Sequence, residues 1–351
     1  MEKLKIAILF GGVSPEHKVS LRSAQSILRN IDPEKYEVFP IGITTDGLWY
    51  YYQGDYDRLP EDAWLTGAIS RAVISPVLGE GLLIFEGNEC RRQKLDCVFP
   101  VLHGENGEDG SIQGLMQLAQ LPCVGPGVRA SAASMDKTLT KLVADEAGVR
   151  QAAWQLVRIA EYEQEPERFL DAAEKKFTYP VFVKPAGTGS SVGVSKAADR
   201  QSLDQAIRQA GQFDSKILVE EFIDGHEVEV AVLGNQEPIT SCCGEIVANA
   251  DFYDYEAKYI SDCAELCIPA RISQQAEKTL RAAAVQIYKA LGCKGLSRVD
   301  FFVTYAGEEV VFNEINTLPG FTSISMYPKL FEHSGIPYRE LIDRIIQWTL
   351  E

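Results

Sequence analysis

Two kinds of hydrophobic pattern alternate along the first third of the chain. Ile6-Ala7-Ile8-Leu9-Phe10 is an unbroken apolar run, as expected of a strand buried on both faces. Leu21, Ala24, Ile27 and Leu28 then recur at helical spacing, and Val38 to Ile43 is strand-like again. That order predicts a βαβ unit with parallel strands. Cys97 to Leu102 reads as a later strand, followed by a helix with Ile112, Leu115, Met116 and Ala119 on its apolar side. Turn formers cluster at Gly125-Pro126-Gly127, where the first domain is expected to end.

The remainder mixes both patterns. Ser134 is expected to cap a helix carrying Lys137, Leu139, Leu142 and Val143, with Gly148 as its stop. Strands follow at Tyr179 to Pro185 and Ile217 to Val219. A further strand runs from Glu227 to Leu233, with Val228, Val230 and Val232 on one face. After it come a helix from Gln274 to Leu291, stopped at Gly292, and two strands, Ser297 to Thr304 and Val310 to Asn316, around a turn at Ala306-Gly307. A final helix holds Leu341, Ile342, Ile345 and Ile346. The fold class is thus α/β and α+β: an open parallel α/β domain (1–125) followed by two mixed α+β domains (126–220 and 221–351).

Composition narrows the function. Its 351 residues suit two or three domains, and 46% apolar with 24% charged residues is the balance of a globular chain. A net charge of −16 argues against a nucleic-acid partner, which needs clustered Lys and Arg, but not against a mononucleotide. The charge-free stretch from Gly110 to Val128 holds four Gly, two Pro and three Gln, so no membrane span is expected. The five-residue apolar run near the start is too short for a secretory core, so a cytoplasmic location is expected. Eight cysteines with no CxxC pair are expected to stay reduced.

Four clusters carry chemistry. In the hairpin about Gly307, Arg298 and Asp300 share a face, as do Glu314 and Asn316, and symmetric pairing sets Asp300 opposite Glu314. At ~5 Å and an effective dielectric of ~20 their repulsion is about 3 kcal/mol, which a divalent cation would reverse. Oxygen-only donors suit Mg²⁺ rather than zinc; the alternative is a solvated acidic edge. Lys184-Pro185-Ala186-Gly187-Thr188-Gly189-Ser190-Ser191-Val192-Gly193 offers backbone N–H groups, hydroxyls and a cation for a polyphosphate, although a flexible loop reads the same way. Polyphosphate and metal together indicate phosphoryl transfer. His103-Gly104-Glu105-Asn106-Gly107-Glu108-Asp109-Gly110 follows the carboxyl end of a parallel strand, where open α/β sheets bind ligands, and Glu16 holds the equivalent place after the first strand. His17, His226 and His333 read as structural. Phe252 to Tyr259 reads as a loop that closes over a site and delivers Lys258, or as a surface excursion.

From Ile6-Ala7-Ile8-Leu9-Phe10-Gly11-Gly12-Val13-Ser14-Pro15-Glu16 to Asn313-Glu314-Ile315-Asn316-Thr317-Leu318-Pro319-Gly320-Phe321-Thr322, these clusters resemble the D-alanine–D-alanine ligase family, of the ATP-grasp fold. The resemblance implies ATP-dependent joining of two D-alanines through an acyl phosphate, for peptidoglycan precursors, with a homodimer expected. It further implies that Glu16 binds the first ammonium with His103 nearby, and that Lys137, Lys184, Ser191 and Lys258 contact the ATP phosphates. Glu220, Phe222, Ile223 and Glu227 would frame the nucleoside, and Asp300, Glu314 and Asn316 would hold two Mg²⁺ ions, or Mn²⁺. Arg298 and the Gly320 N–H would stabilise the oxyanion, while Ser325 and Met326 take the second carboxylate. Glu16, Ser190 and Tyr259 would form a triad closing the loop. Lys258-Tyr259 and Met326 look like the D-alanine type. Pro40-Ile41-Gly42-Ile43-Thr44 and the last third also resemble the D-serine-adding branch of the vancomycin-resistance type, and Gly187 replaces an Arg of some members. A catalytically silent nucleotide-binding regulator is the reading from another class.

Overall fold

The computed structural model describes residues 2–248 and 264–351. A first sheet has β1 (Leu4–Gly11) between β2 (Tyr36–Ile43) and β7 (Cys97–Pro100), all parallel, with helix α1 (His17–Asn30) as the crossover. Both faces of β1 are covered, as its unbroken apolar run requires. Ile6, Ile8 and Phe10 pack with Leu21, Ala24, Ile27 and Leu28 of α1 and with Leu341, Ile342, Ile345 and Ile346 of the final helix. Ala7 and Leu9 face Ile112 and Met116 of α2 (Ser111–Ala119). The chain's first strand and last helix therefore share one core.

The parallel strands are extended by an antiparallel meander, β3 (Trp49–Tyr52), β4 (Ile69–Ile74), β5 (Leu82–Glu86) and β6 (Glu89–Gln93), giving the order β6-β5-β4-β3-β2-β1-β7. Sequence reading leaves this stretch unassigned, because its strands are short and β6 buries no side chain that would mark an inner face.

Two further helices precede the second sheet, α3 (Val128–Met135) and α4 (Lys137–Glu146). Here the capping expectation is corrected. Ser134 lies within α3, and Asp136 caps α4, its carboxylate accepting from the N–H groups of Thr138 and Leu139. A carboxylate at a helix N-terminus satisfies orphan donors and complements the dipole. Leu139 and Leu142 are exposed, and the buried face of α4 carries Thr138, Thr140, Lys141 and Ala144. A second sheet, in the order β10-β9-β11-β8, is built from β8 (Trp154–Arg158), β9 (Val181–Pro185), β10 (Ser195–Ala197) and β11 (Lys216–Glu221). It is antiparallel.

The third sheet, β14-β13-β12-β15-β16, is antiparallel as well. It comprises β12 (Gly225–Leu233), β13 (Ile239–Ala248), β14 (Ala264–Cys267), β15 (Leu296–Thr304) and β16 (Val310–Asn316). Val228, Val230 and Val232 share a core with Leu280, Ala284 and Ile287 of helix Gln274–Ala290. The hairpin register pairs Asp300 with Glu314 and Arg298 with Asn316, symmetric about Gly307 as expected. A bulge beyond Asp300 shifts the turn-side pairs to Phe301 with Phe312. Seven cysteines of the described residues are free thiols.

Candidate active site

Glu16 precedes α1 at the carboxyl end of β1, and its Oε1 accepts a hydrogen bond from Ser190 Oγ at 2.5 Å, across 174 residues. Ser190 and Ser191 have φ of 51° and 57°. Non-glycine residues reach this left-handed region at a strain cost and persist there where surroundings hold them, commonly at ligand loops. Gly104, at φ +68°, approaches so closely that a Cβ would lie 2.7 Å from Ser14 Oγ and 2.8 Å from Glu16 Oε2. Two members of the expected triad are thus in contact; Tyr259 and Lys258, with the whole Phe252-to-Tyr259 segment, lie outside the described residues.

His103 is buried and its ring turns toward Leu318, with Nδ1 3.0 Å from the carbonyl oxygen and Nε2 3.4 Å from Ser23 Oγ. Burial first of all holds its pKa below the usual histidine value. Glu108 accepts from Gly104 N–H at 2.8 Å and Leu318 N–H at 3.2 Å. Burial, reinforced by the Glu16 charge, pushes its carboxyl up to about 8.

In the hairpin the expected repulsion is already offset by cations. Arg298 donates from Nε and Nη2 to the two Asp300 oxygens, each at 2.8 Å, and its Nε lies 2.9 Å from Glu229. Lys137 Nζ stands 3.9 Å from Glu314. Asn316 donates its amide N–H to Asp300 at 3.0 Å, which leaves its amide oxygen available as a ligand. Among the described residues no three His, Cys, Asp or Glu side chains gather as metal ligands. A cation here would be held by two carboxylates and an amide oxygen, a donor set that fits a hard divalent ion. We expect Glu314→Gln to raise the Mg²⁺ concentration needed for half-maximal activity while the melting temperature stays near that of the parent. Normal activity at ordinary Mg²⁺ would remove Glu314 from the ligand set.

The lysines meet beside this hairpin. Lys184 Nζ lies 2.8 Å from Glu220 and donates to Asn313 at 3.1 Å; Lys137 Nζ donates to the Thr188 carbonyl at 2.6 Å. Sequence reasoning missed Lys141, which is fully buried with Nζ 3.1 Å from Glu220. Its signal was the i, i+4 repeat of Lys137 and Lys141 on one helix, masked by the apolar Leu139 and Leu142. Glu220, expected at the nucleoside, has its carboxylate between these two lysines; although burial opposes it, they hold its pKa down at about 2. Phe222 is exposed beneath the Lys196 ammonium, 4.7 Å from the ring centre, and Ile223 and Glu227 flank the step into β12.

A cavity of about 870 Å³ joins Glu16, His103, Ser190, Arg298, Glu314, Asn316, Gly320, Ser325 and Met326. The Ser325 hydroxyl caps the loop by accepting from Thr322 N–H at 3.0 Å. The expected phosphate and nucleoside residues Lys137, Lys184, Ser191, Glu220, Phe222, Ile223 and Glu227 do not line it, nor does Asp300.

Two antiparallel sheets meeting at lysines and hairpin carboxylates, beside an α/β sheet that carries the first-strand loop, form an ATP-grasp ligase. The family model for the D-ala D-ala ligase N-terminus matches residues 5–126, and that for the D-ala D-ala ligase C-terminus matches 143–347. The chain is 49% identical to a D-alanine–D-alanine ligase of Caldicellulosiruptor bescii over all of its length and 96% of the relative, and 47% identical to one of Clostridium novyi, over 99% and 98%. Among solved structures it is similar to the VanG D-Ala:D-Ser ligase of Enterococcus faecalis, with TM-score 0.90, 41% identity and coverage of 99% and 100%. It is also similar to the D-alanine–D-alanine ligase of Coxiella burnetii, with TM-score 0.86, 35% identity and coverage of 100% and 94%. The chain belongs to the D-alanine–D-alanine ligase family.

Proposed function

We propose that this chain joins two D-alanine molecules into D-alanyl-D-alanine with one ATP, supplying a peptidoglycan precursor. The observation that carries the reading is that Glu16, Arg298 and the Gly320 loop open on one cavity with Glu314 and Asn316. A carboxylate that can hold an ammonium thus faces the groups that manage phosphate and oxyanion charge.

The chemistry follows from those groups. The carboxylate oxygen of the first D-alanine, held through its ammonium by Glu16, attacks the γ-phosphorus; the bond to the ADP oxygen breaks and an acyl phosphate results. Lys137, Lys184 and Lys258 neutralise the phosphates, with Ser191 as a further donor, and Phe222, Ile223 and Glu227 border the nucleoside. The amine of the second D-alanine, its carboxylate at Ser325 and the Met326 N–H, attacks the acyl carbon after losing a proton. Arg298 and the Gly320 N–H receive the charge on the oxyanion, and its collapse expels phosphate. Asp300, Glu314 and Asn316 would hold two Mg²⁺ ions, which supply further charge neutralisation at the phosphates. Glu16, Ser190 and Tyr259 tie the loop shut, keeping water from the acyl phosphate.

Met326 sets an apolar side chain beside the acceptor, which suits a methyl group over a hydroxyl left without a partner. Release of phosphate from ATP is expected to require D-alanine and to yield a dipeptide by mass, with D-serine a poor competitor. ATP turnover without dipeptide would defeat the reading. A cytoplasmic homodimer is part of this reading; among the described residues no helix is long and apolar enough to cross a membrane.

A further inference from the structure

We propose that His103, Glu108 and Ser23 are positioning residues that clamp the Leu318–Phe321 segment and so aim the Gly320 N–H at the oxyanion. The proposal rests on the ligase reading only for what the N–H meets.

The segment is held on both sides of Pro319-Gly320. Leu318 has both backbone polar groups engaged from the first domain: its carbonyl by His103 Nδ1 at 3.0 Å, its N–H by Glu108 at 3.2 Å. Phe321 is engaged likewise: its N–H donates to Ser23 Oγ at 3.2 Å, and its carbonyl accepts from Tyr338 Oη at 2.5 Å. Ser23 and His103 are linked at 3.4 Å, and Gly104 N–H fixes the other Glu108 oxygen at 2.8 Å. With Nδ1 facing a carbonyl it must carry the proton, so Nε2 accepts from the Ser23 hydroxyl, whose oxygen in turn receives the Phe321 N–H. His103, Ser23 and Phe321 are buried.

Between these anchors, Pro319 has no N–H, and the Gly320 N–H has no partner among the described residues, although Gly320 lines the cavity. A Cβ on Gly320 would lie 2.8 Å from Ser325 Oγ, so the donor sits on a bare backbone against the cap of the next helix. The backbone polar groups of Leu318 and Phe321 are engaged, while the Gly320 N–H between them has no partner among the described residues. That pattern is what preorganised stabilisation of developing charge requires. On this view His103 acts through the loop, not by touching substrate.

Asparagine and glutamine separate the two ring nitrogens. Asn presents its amide N–H near the Nδ1 position and can serve the Leu318 carbonyl, whereas Gln reaches only toward Nε2. In steady-state kinetics of the full chain, His103→Gln is expected to lower kcat by roughly tenfold or more with little change in either KM. His103→Asn should recover most of that loss. A phosphinate dipeptide analogue, a tetrahedral mimic, should lose affinity for His103→Gln and Ser23→Ala in step with kcat, while D-alanine does not. A rise in KM for D-alanine at constant kcat, or equal damage from Asn and Gln, would overturn the clamp. Amide hydrogen exchange reads it without turnover. The Leu318 and Phe321 N–H groups are expected to exchange slowly in the parent, and faster in His103→Gln and Ser23→Ala by a factor of about ten. Unchanged exchange overturns the proposal, whereas a parent that makes no dipeptide defeats only the ligase reading.

Discussion

Arg298→Ala is expected to lower kcat by roughly 10²–10³, the loss seen when one preorganised oxyanion donor is removed. The guanidinium lines the cavity beside Asn316 and Gly320, and its fork is held in place by Asp300 at 2.8 Å and Glu229 at 2.9 Å. Those carboxylates fix its direction before substrate arrives, so little reorganisation is needed as charge develops. The same contacts make the variant less stable, because Asp300 and Glu229 are both buried and are register partners across β12 and β15. Without the arginine they face each other as like charges. Arg298→Lys separates the two effects. It keeps a positive charge between the acids and should restore most of the melting temperature, but a point charge cannot reproduce the two-pronged geometry, so the rate stays low. Initial rates over a range of D-alanine and ATP, beside thermal melts of both variants, decide it. An effect confined to KM would contradict the assigned role.

Glu220→Gln is expected to cost about 3–5 kcal/mol of stability, the range for removing one partner of a buried ion pair. Its carboxylate is the shared counter-charge of Lys141 and Lys184, at 3.1 and 2.8 Å. Neutralising it leaves two buried ammonium groups facing each other. Lys141→Met should be much milder, since it leaves a balanced Lys184–Glu220 pair. The asymmetry between the two variants, read from urea midpoints, is the test, and equal small losses would refute the picture. The pH dependence has a definite sign. Glu220 titrates at about 2 in the fold against 4.5 for an unperturbed group. Its contribution is therefore complete above the unfolded value, and is lost as the pH falls through the window from about 4.5 to about 2. That loss should be absent in Glu220→Gln.

Much of this molecule was legible along the chain. The unbroken run Ile6 to Phe10 carries its own reading, because a strand covered by helices on both faces has no polar side to show. The hairpin about Gly307 was equally readable: period-two alternation put Arg298 with Asp300 and Glu314 with Asn316, and a turn centred on Gly307 set them opposite. Local periodicity suffices wherever one element's environment is uniform along its length. It failed where a helix buries a charge: the exposed Leu139 and Leu142 pulled the reading of α4 away from Lys141. It was also silent on β3 to β6, whose short strands leave too few alternations to count.

The contacts that assemble the site belong to the tertiary structure alone. Ser190 meets Glu16 across 174 residues, and Glu108 grips Leu318 across 210. No spacing rule reaches that far, because such pairs form only when separate sheets dock. Residue types in order along the chain determined which chemistry was possible here. The docking of three sheets, driven by burial of their apolar faces, decided which polar groups meet, and among the described residues it leaves the Gly320 N–H without a partner beside the cavity.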